Sequence, residues 1–224
     1  HVVEQLQEWL PSWSAAPVFF VDQGLLRDGG VDVGSDLPRG IKAWLDIVAK
    51  HGVRVVLIDT IDKATGRRLL KKSSKDNTGY LSLKQVERIE NHARALGINV
   101  LWAGGLGMRD AFVMGKLGLF GIYVTSAAAT IIPVGGAYIR DPGLSGVKEP
   151  SKEGVLRTKI LLEAGFLVAK LPEDTAKEIS IVAEILLAAL DTSDAPTITR
   201  ESTALASLCL TGWQMYWKKS AAFG

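Results

Sequence analysis

No stretch of this sequence reaches the run of about 20 apolar residues that a membrane-spanning helix needs, so no membrane association is expected. The opening residues HVVEQLQEWLPSW lack the basic-then-apolar order of a secretory leader. They also lack an initiator Met, and the numbering is expected to begin partway into a longer protein. Cysteine occurs once, at Cys209, which excludes an internal disulfide and fits a reducing, cytoplasmic setting. A lone cysteine is more often a small buried hydrophobe than a nucleophile. Histidine is confined to His1, His51 and His92, too scattered to ligate a metal. His51 and His92 stand near glycines that end expected helices, and they read as cations at helix C-termini. The net charge is only +2, which gives no basic footprint for nucleic acid.

What is present is ordinary for a globular protein: 47% hydrophobic and 22% charged residues over 224 positions, enough for one large domain or a domain with an appendage. Val2 to Leu10 places Val3, Leu6 and Leu10 on one helical face before Pro11. Pro17 to Val21 is a short continuous apolar run, as in a strand buried on both faces. A Gly/Asp-rich loop follows, and then a helix from Pro38 to about Lys50, started after Asp36, with Ile41, Leu45 and Val48 inward. The unit repeats. Val53 to Asp59 reads as a strand, Ser82 to Leu96 as a helix opened by a Ser82–Gln85 capping box, and Ile98 to Ala103 as a strand. Arg109 to Leu117 reads as a helix and Leu119 to Thr125 as a strand. Such alternation means parallel pairing through right-handed crossovers, in a barrel or in an open doubly wound sheet.

Beyond Thr130 the pattern changes. Gly135 to Gly154 is polar and turn-rich and reads as a loop. Helices are expected over Val155–Gly165, over Pro172–Leu190 with a stripe of Ile179, Val182, Ile185, Leu186 and Leu190, and from about Arg200 onward. The last carries Leu205, Leu208, Trp213, Tyr216 and Trp217, an aromatic tail suited to packing or to an interface.

Three expected strand ends carry the polar groups of interest. Asp59, at the end of the second strand, is followed by Thr60, Lys63 and Gly66. A carboxylate and a lysine there stand at the mouth of a parallel sheet, where ligands bind. The lysine can form a Schiff base or polarise a carbonyl, and the aspartate can move protons. Against this, loop lysines are mostly solvated, and an Asp-Thr pair often only caps a turn. The second strand end is Ala103-Gly104-Gly105, whose glycines let a phosphate approach the backbone. The third is Thr125-Ser126-Ala127-Ala128-Ala129, with small residues whose amides can open toward the same anion. A dinucleotide site is disfavoured, because GGLGMRD does not supply GxGxxG and the acidic residue about 20 positions later is missing.

These residues resemble the later half of the (5-formylfuran-3-yl)methyl phosphate synthases. The likeness lies in LIDTIDKATGRRLL, SLKQVERIENHARALGINVLWAGGL and LFGIYVTSAAA. It runs from about Pro17 to Leu167 and is densest from Val55 to Ala129. The resemblance implies a TIM-type (β/α)8 barrel whose later half is in this numbering. It also implies a carbon–oxygen lyase that condenses glyceraldehyde 3-phosphate into a furan phosphate for methanofuran-type cofactors of one-carbon metabolism. No metal or organic cofactor is called for. Asp59 and Lys63 match the family's strand-six pattern with Thr60 and Gly66. Gly104 and Gly105 match its turn after strand seven, and Ser126 and Ala127 its phosphate turn after strand eight.

The family's Schiff-base lysine and a second catalytic lysine lie in the first half of its barrel, and this chain has no counterpart of either. The first half then lies outside this numbering, or another chain supplies it, or the chemistry has been lost. The expected organisation is a barrel portion over residues 1–170 and a C-terminal helical extension over 171–224. The expected partners are a small phosphorylated substrate and either further copies of the chain or one that supplies the first half. Two other functions fit the same features. One is a sugar-phosphate isomerase of the histidine-biosynthesis type, although its Asp-Gly-Thr is not found. The other is a non-catalytic barrel relative acting as a subunit or binding module.

Overall fold

The structure is a computed structural model that describes residues 16–23, 25–27, 30–32, 36–62, 66–73, 75–119, 121–124, 129–132 and 147–221. The helix expected over Val2–Leu10 lies outside these residues, as do Lys63, Ser126 and Ala127. In chain order the elements begin with β1 (Val18–Phe20), β2 (Leu25–Arg27), β3 (Gly30–Asp32), α1 (Leu37–Lys50) and β4 (Val55–Asp59). Then come β5 (Arg68–Leu70), β6 (Gly79–Leu81), α2 (Leu83–Ala95), β7 (Asn99–Trp102), α3 (Met108–Gly115) and β8 (Gly121–Ile122). The last are β9 (Ala129–Ile132), β10 (Val147–Pro150), α4 (Lys152–Lys170), α5 (Glu173–Thr192) and α6 (Ala195–Ala221). Among the described residues the chain gathers into two compact units. One is made of the residues up to Leu106 with Leu119–Tyr123, the other of Gly107–Gly118 with the residues from Val124 on.

The first unit is built on a four-stranded sheet in the order β1-β4-β7-β8, every pair parallel. The registers Phe20↔Asp59, Ile58↔Trp102 and Trp102↔Ile122 align the carboxyl ends of the strands. These are the four strands expected from the apolar runs, adjacent in the expected order. Val56 and Ile58 of β4 are fully buried, as are Val100 and Trp102 of β7. Helices α1 and α2 pack against each other. The Asp36 side chain accepts from Arg39 N at 3.3 Å at the start of α1, whose buried residues are the expected Ile41, Leu45 and Val48. At α2 the capping box is present in full, with Gln85 N donating to Ser82 Oγ and Ser82 N to Gln85 Oε1. The fold is therefore mixed α/β with a parallel sheet. Among the described residues no closed barrel forms, and the sheet ends at β1 and β8.

Two pairs of short strands stand where the sequence reads as loop. β2 and β3 form an antiparallel pair, and β5 and β6 a parallel one. Three residues are too few for any period to register in the sequence, and partners hold these strands in place. Leu69 N of β5 donates to the Gly104 carbonyl at 2.7 Å. Asp76 ties the β5–β6 connection, accepting from Lys72 N, Thr78 N, Thr78 Oγ1 and Arg68 Nη2.

The second unit is mainly helical. In the expected loop over Gly135–Gly154, β10 pairs antiparallel with β9, and α4 starts at Lys152 with Ser151 as its cap. α4 does not stop at Gly165. A Cβ there would lie 2.0 Å from the Phe112 carbonyl oxygen, and one at Gly115 would lie 2.2 Å from the Leu162 oxygen. The two glycines let α3 and α4 cross with their backbones in contact, so Gly165 serves packing and not termination. In α5, Ile179 and Leu186 of the expected stripe are buried, but Ile185 is 41% exposed and Ala183 and Leu187 are buried instead. The expected boundary at residue 171 falls between α4 and α5, which pack together within this unit. No helix of the described residues is long and apolar enough to cross a membrane.

Candidate functional site

The carboxyl edge of the parallel sheet collects the polar groups of the first unit. Asp59 ends β4, and its Oδ1 accepts from Thr60 N at 2.7 Å. Thr60 is 1% exposed. Gly104, after β7, packs on it: a Cβ on Gly104 would meet Thr60 Oγ1 and Cγ2 at 3.1 Å, and its φ of 110° is open mainly to glycine. The expected residues Asp59, Gly104 and Gly105 thus lie on one edge, with Thr60 between the strand end and the turn. Gly105 has φ 67°, and a Cβ there would come within 3.0 Å of Arg68 Cβ. The place of a Cβ is contested at each glycine, by Thr60 at Gly104 and by Arg68 at Gly105.

Asp22 joins them from β1. Its carboxylate accepts from Ile61 N at 3.1 Å and from Asp62 N at 2.7 Å, and so fixes the two residues that precede Lys63. The sequence does carry a signal for Asp22: FFVD closes an apolar run on an aspartate as LID does. Arg68 and Asp76 carry no such signal, because their place depends on a contact with the distant turn at Gly105. Hydrogen bonds from Thr78 and from the Lys72 backbone hold the Asp76 carboxyl far below the usual carboxylate range, and Arg68 adds to them. Tyr123, just after β8, is 64% exposed, and its N–H donates to the Trp102 carbonyl.

Other titratable groups have structural roles. Glu90 is 2% exposed and accepts from Trp102 Nε1 at 2.9 Å, with Arg94 Nε at 3.2 Å; burial raises its pKa above the ordinary value. His92 Nε2 lies 2.8 Å from Asp46 Oδ1, which joins α2 to α1. The Cys209 thiol is pushed up to about 12 by burial, with a smaller contribution from the charge of Glu163, which disfavours the thiolate a nucleophile needs. Among the described residues no group of His, Cys, Asp and Glu side chains is arranged to hold a metal ion. Comparison with protein-family models, with curated proteins and with solved structures finds no match to this chain.

Proposed function

We propose that the carboxyl edge of the sheet is the mouth of an active site acting on triose phosphate, in a lyase of the furan-phosphate-synthase type. The observation that supports this best is the convergence of Asp59, Thr60 and the Gly104–Gly105 turn on one edge of a parallel sheet. In such sheets the loops after the strands hold the substrate, and glycine turns there suit a phosphate. Asp59 moves a proton, Lys63 polarises or condenses with the aldehyde, and Gly104 and Gly105 grip the ester. By resemblance, Ser126 and Ala127 match the family's phosphate turn after strand eight. In this reading β1, β4, β7 and β8 are the later strands of a (β/α)8 barrel, and a further segment or a second chain brings the earlier ones.

The test is furan formation from glyceraldehyde 3-phosphate, followed by ultraviolet absorbance. Lys63→Ala should abolish turnover while leaving the thermal midpoint unchanged, because this reading gives the lysine to the chemistry and not to the core. Normal turnover in Lys63→Ala would remove that lysine from the mechanism. No furan from the wild-type chain with its barrel-completing partner would remove the enzyme reading altogether.

A further inference from the structure

Arg68 opens β5, and its surroundings are those of the candidate site. Its neighbour Leu69 donates to the Gly104 carbonyl at 2.7 Å, and its own Cβ lies where a side chain on Gly105 would collide. The head of the side chain is braced as well, with Nη2 donating to Asp76 Oδ2 at 3.0 Å. One donor is left over. Arg68 Nε is buried and has no hydrogen-bond partner among the described residues. Asp76 is not available to it, since each of its oxygens already accepts from two donors. A buried cationic N–H without an acceptor is costly and rare in a native fold, and here it belongs to a side chain that is 20% exposed, so it marks a place where an acceptor belongs. Gly105, whose missing Cβ would meet Arg68 Cβ at 3.0 Å, is exposed to solvent, and its N–H is taken by no backbone carbonyl among the described residues.

We propose that Arg68 is the cation of an anion site at this turn, in which a phosphate or phosphate ester lies on the Gly105 amide and accepts from Arg68 Nε. The proposal rests on reading the Gly104–Gly105 turn as a phosphate grip. It adds the charge that glycine amides lack. Arginine suits the role: its planar head stays ionised, and with one nitrogen on Asp76 the rest of the fork is held in a fixed direction toward the ligand. Asp76 is then a positioning residue that acts through Arg68.

The test is a titration of the intact chain with inorganic phosphate, watching arginine Nε–H signals by proton–nitrogen NMR, with Arg68 assigned by side-chain triple-resonance experiments on the wild-type protein. The Arg68 signal should shift saturably, and Arg68→Gln should weaken phosphate binding about tenfold or more, the loss of one charge-assisted hydrogen bond. The NMR arm uses wild-type protein and stands even if a variant fails to fold. Saturable binding with an unmoved Arg68 signal would overturn the role of Arg68. If Gly105→Val still abolished that binding, the reading of the glycine turn would survive. No saturable binding by the wild type would overturn both.

Discussion

Glu90 sits on α2 with Trp102 Nε1 at 2.9 Å and Arg94 Nε at 3.2 Å, and burial is the largest influence on its ionisation. The sign follows from linkage. A carboxyl whose folded pKa is raised binds its proton more tightly in the native state. Its contribution is therefore greatest below the ordinary glutamate value and is lost as pH rises through the raised folded value. Glu90→Gln keeps an acceptor for Trp102 and carries no charge to desolvate. It gives up the Arg94 ion pair, but that arginine is half exposed, and such pairs contribute little. The variant should show a flatter stability profile than wild type as pH rises from the ordinary glutamate value through the raised folded one. Denaturant midpoints measured across that range check it. Parallel profiles for the two proteins would mean that Glu90 does not titrate in this interval.

The crossing of α3 on α4 depends on Gly115 and Gly165, each occupying space that a Cβ would contest with a backbone carbonyl at 2.0–2.2 Å. Gly165→Ala sets two effects against each other. Alanine favours the helix by about 1 kcal/mol, whereas forcing apart a close backbone contact costs about 1–3 kcal/mol or more. Overpacking wins, because the contested atom is a carbonyl oxygen that no side-chain rotation can clear. Gly165→Ala should lower the thermal midpoint by several degrees, the shift expected for about 2 kcal/mol in a protein of this size. Cys209, buried on α6 with its sulfur 3.9 Å from the Ile160 carbonyl of α4, reports on the α4 side of this crossing. Its reaction with a thiol reagent should be slow in wild type and faster in Gly165→Ala. Equal rates and equal midpoints would show that the crossing tolerates a methyl group. Sequence pattern favours a helix stop at Gly165, since a glycine after an apolar run is the commonest end signal. Only the partner helix reveals the other use.

The parallel sheet has β1 and β8 as its outer strands among the described residues, each with a single partner. Parallel sheets are ordinarily covered and their edges protected, and unpaired edge groups invite another strand or chain. Val18 of β1 is 39% exposed, which places an apolar side chain on such an edge. The protein should therefore run in solution at a mass above that of one chain, alone or with a partner that extends the sheet. Val18→Lys should reduce that association while leaving the circular dichroism spectrum unchanged. Light scattering coupled to size exclusion decides it: a monomer at all micromolar concentrations, in wild type as in the variant, would leave these edges without a partner.

Local chemistry made much of the architecture legible in the chain. Apolar runs closed by polar residues or glycine marked all four strands of the main sheet, and caps such as Asp36 and Ser82 marked helix starts, because both signals act within a few positions of one another. Asp59 and Gly104 could be named as neighbours at a sheet edge because parallel βα units align their strand ends. What stayed hidden rests on contacts between residues far apart in the chain. Asp22 reaches the loop at Ile61 and Asp62, Thr60 fills the space at Gly104, Arg68 lies against Gly105, and Gly165 meets Phe112. Each is a hydrogen bond or a steric fit with no periodic trace, since neither partner's position constrains the residues beside the other. The short strands β5 and β6 belong with them: three residues carry too little pattern to specify a strand, and the Gly104 carbonyl and the Asp76 knot supply what their sequence does not.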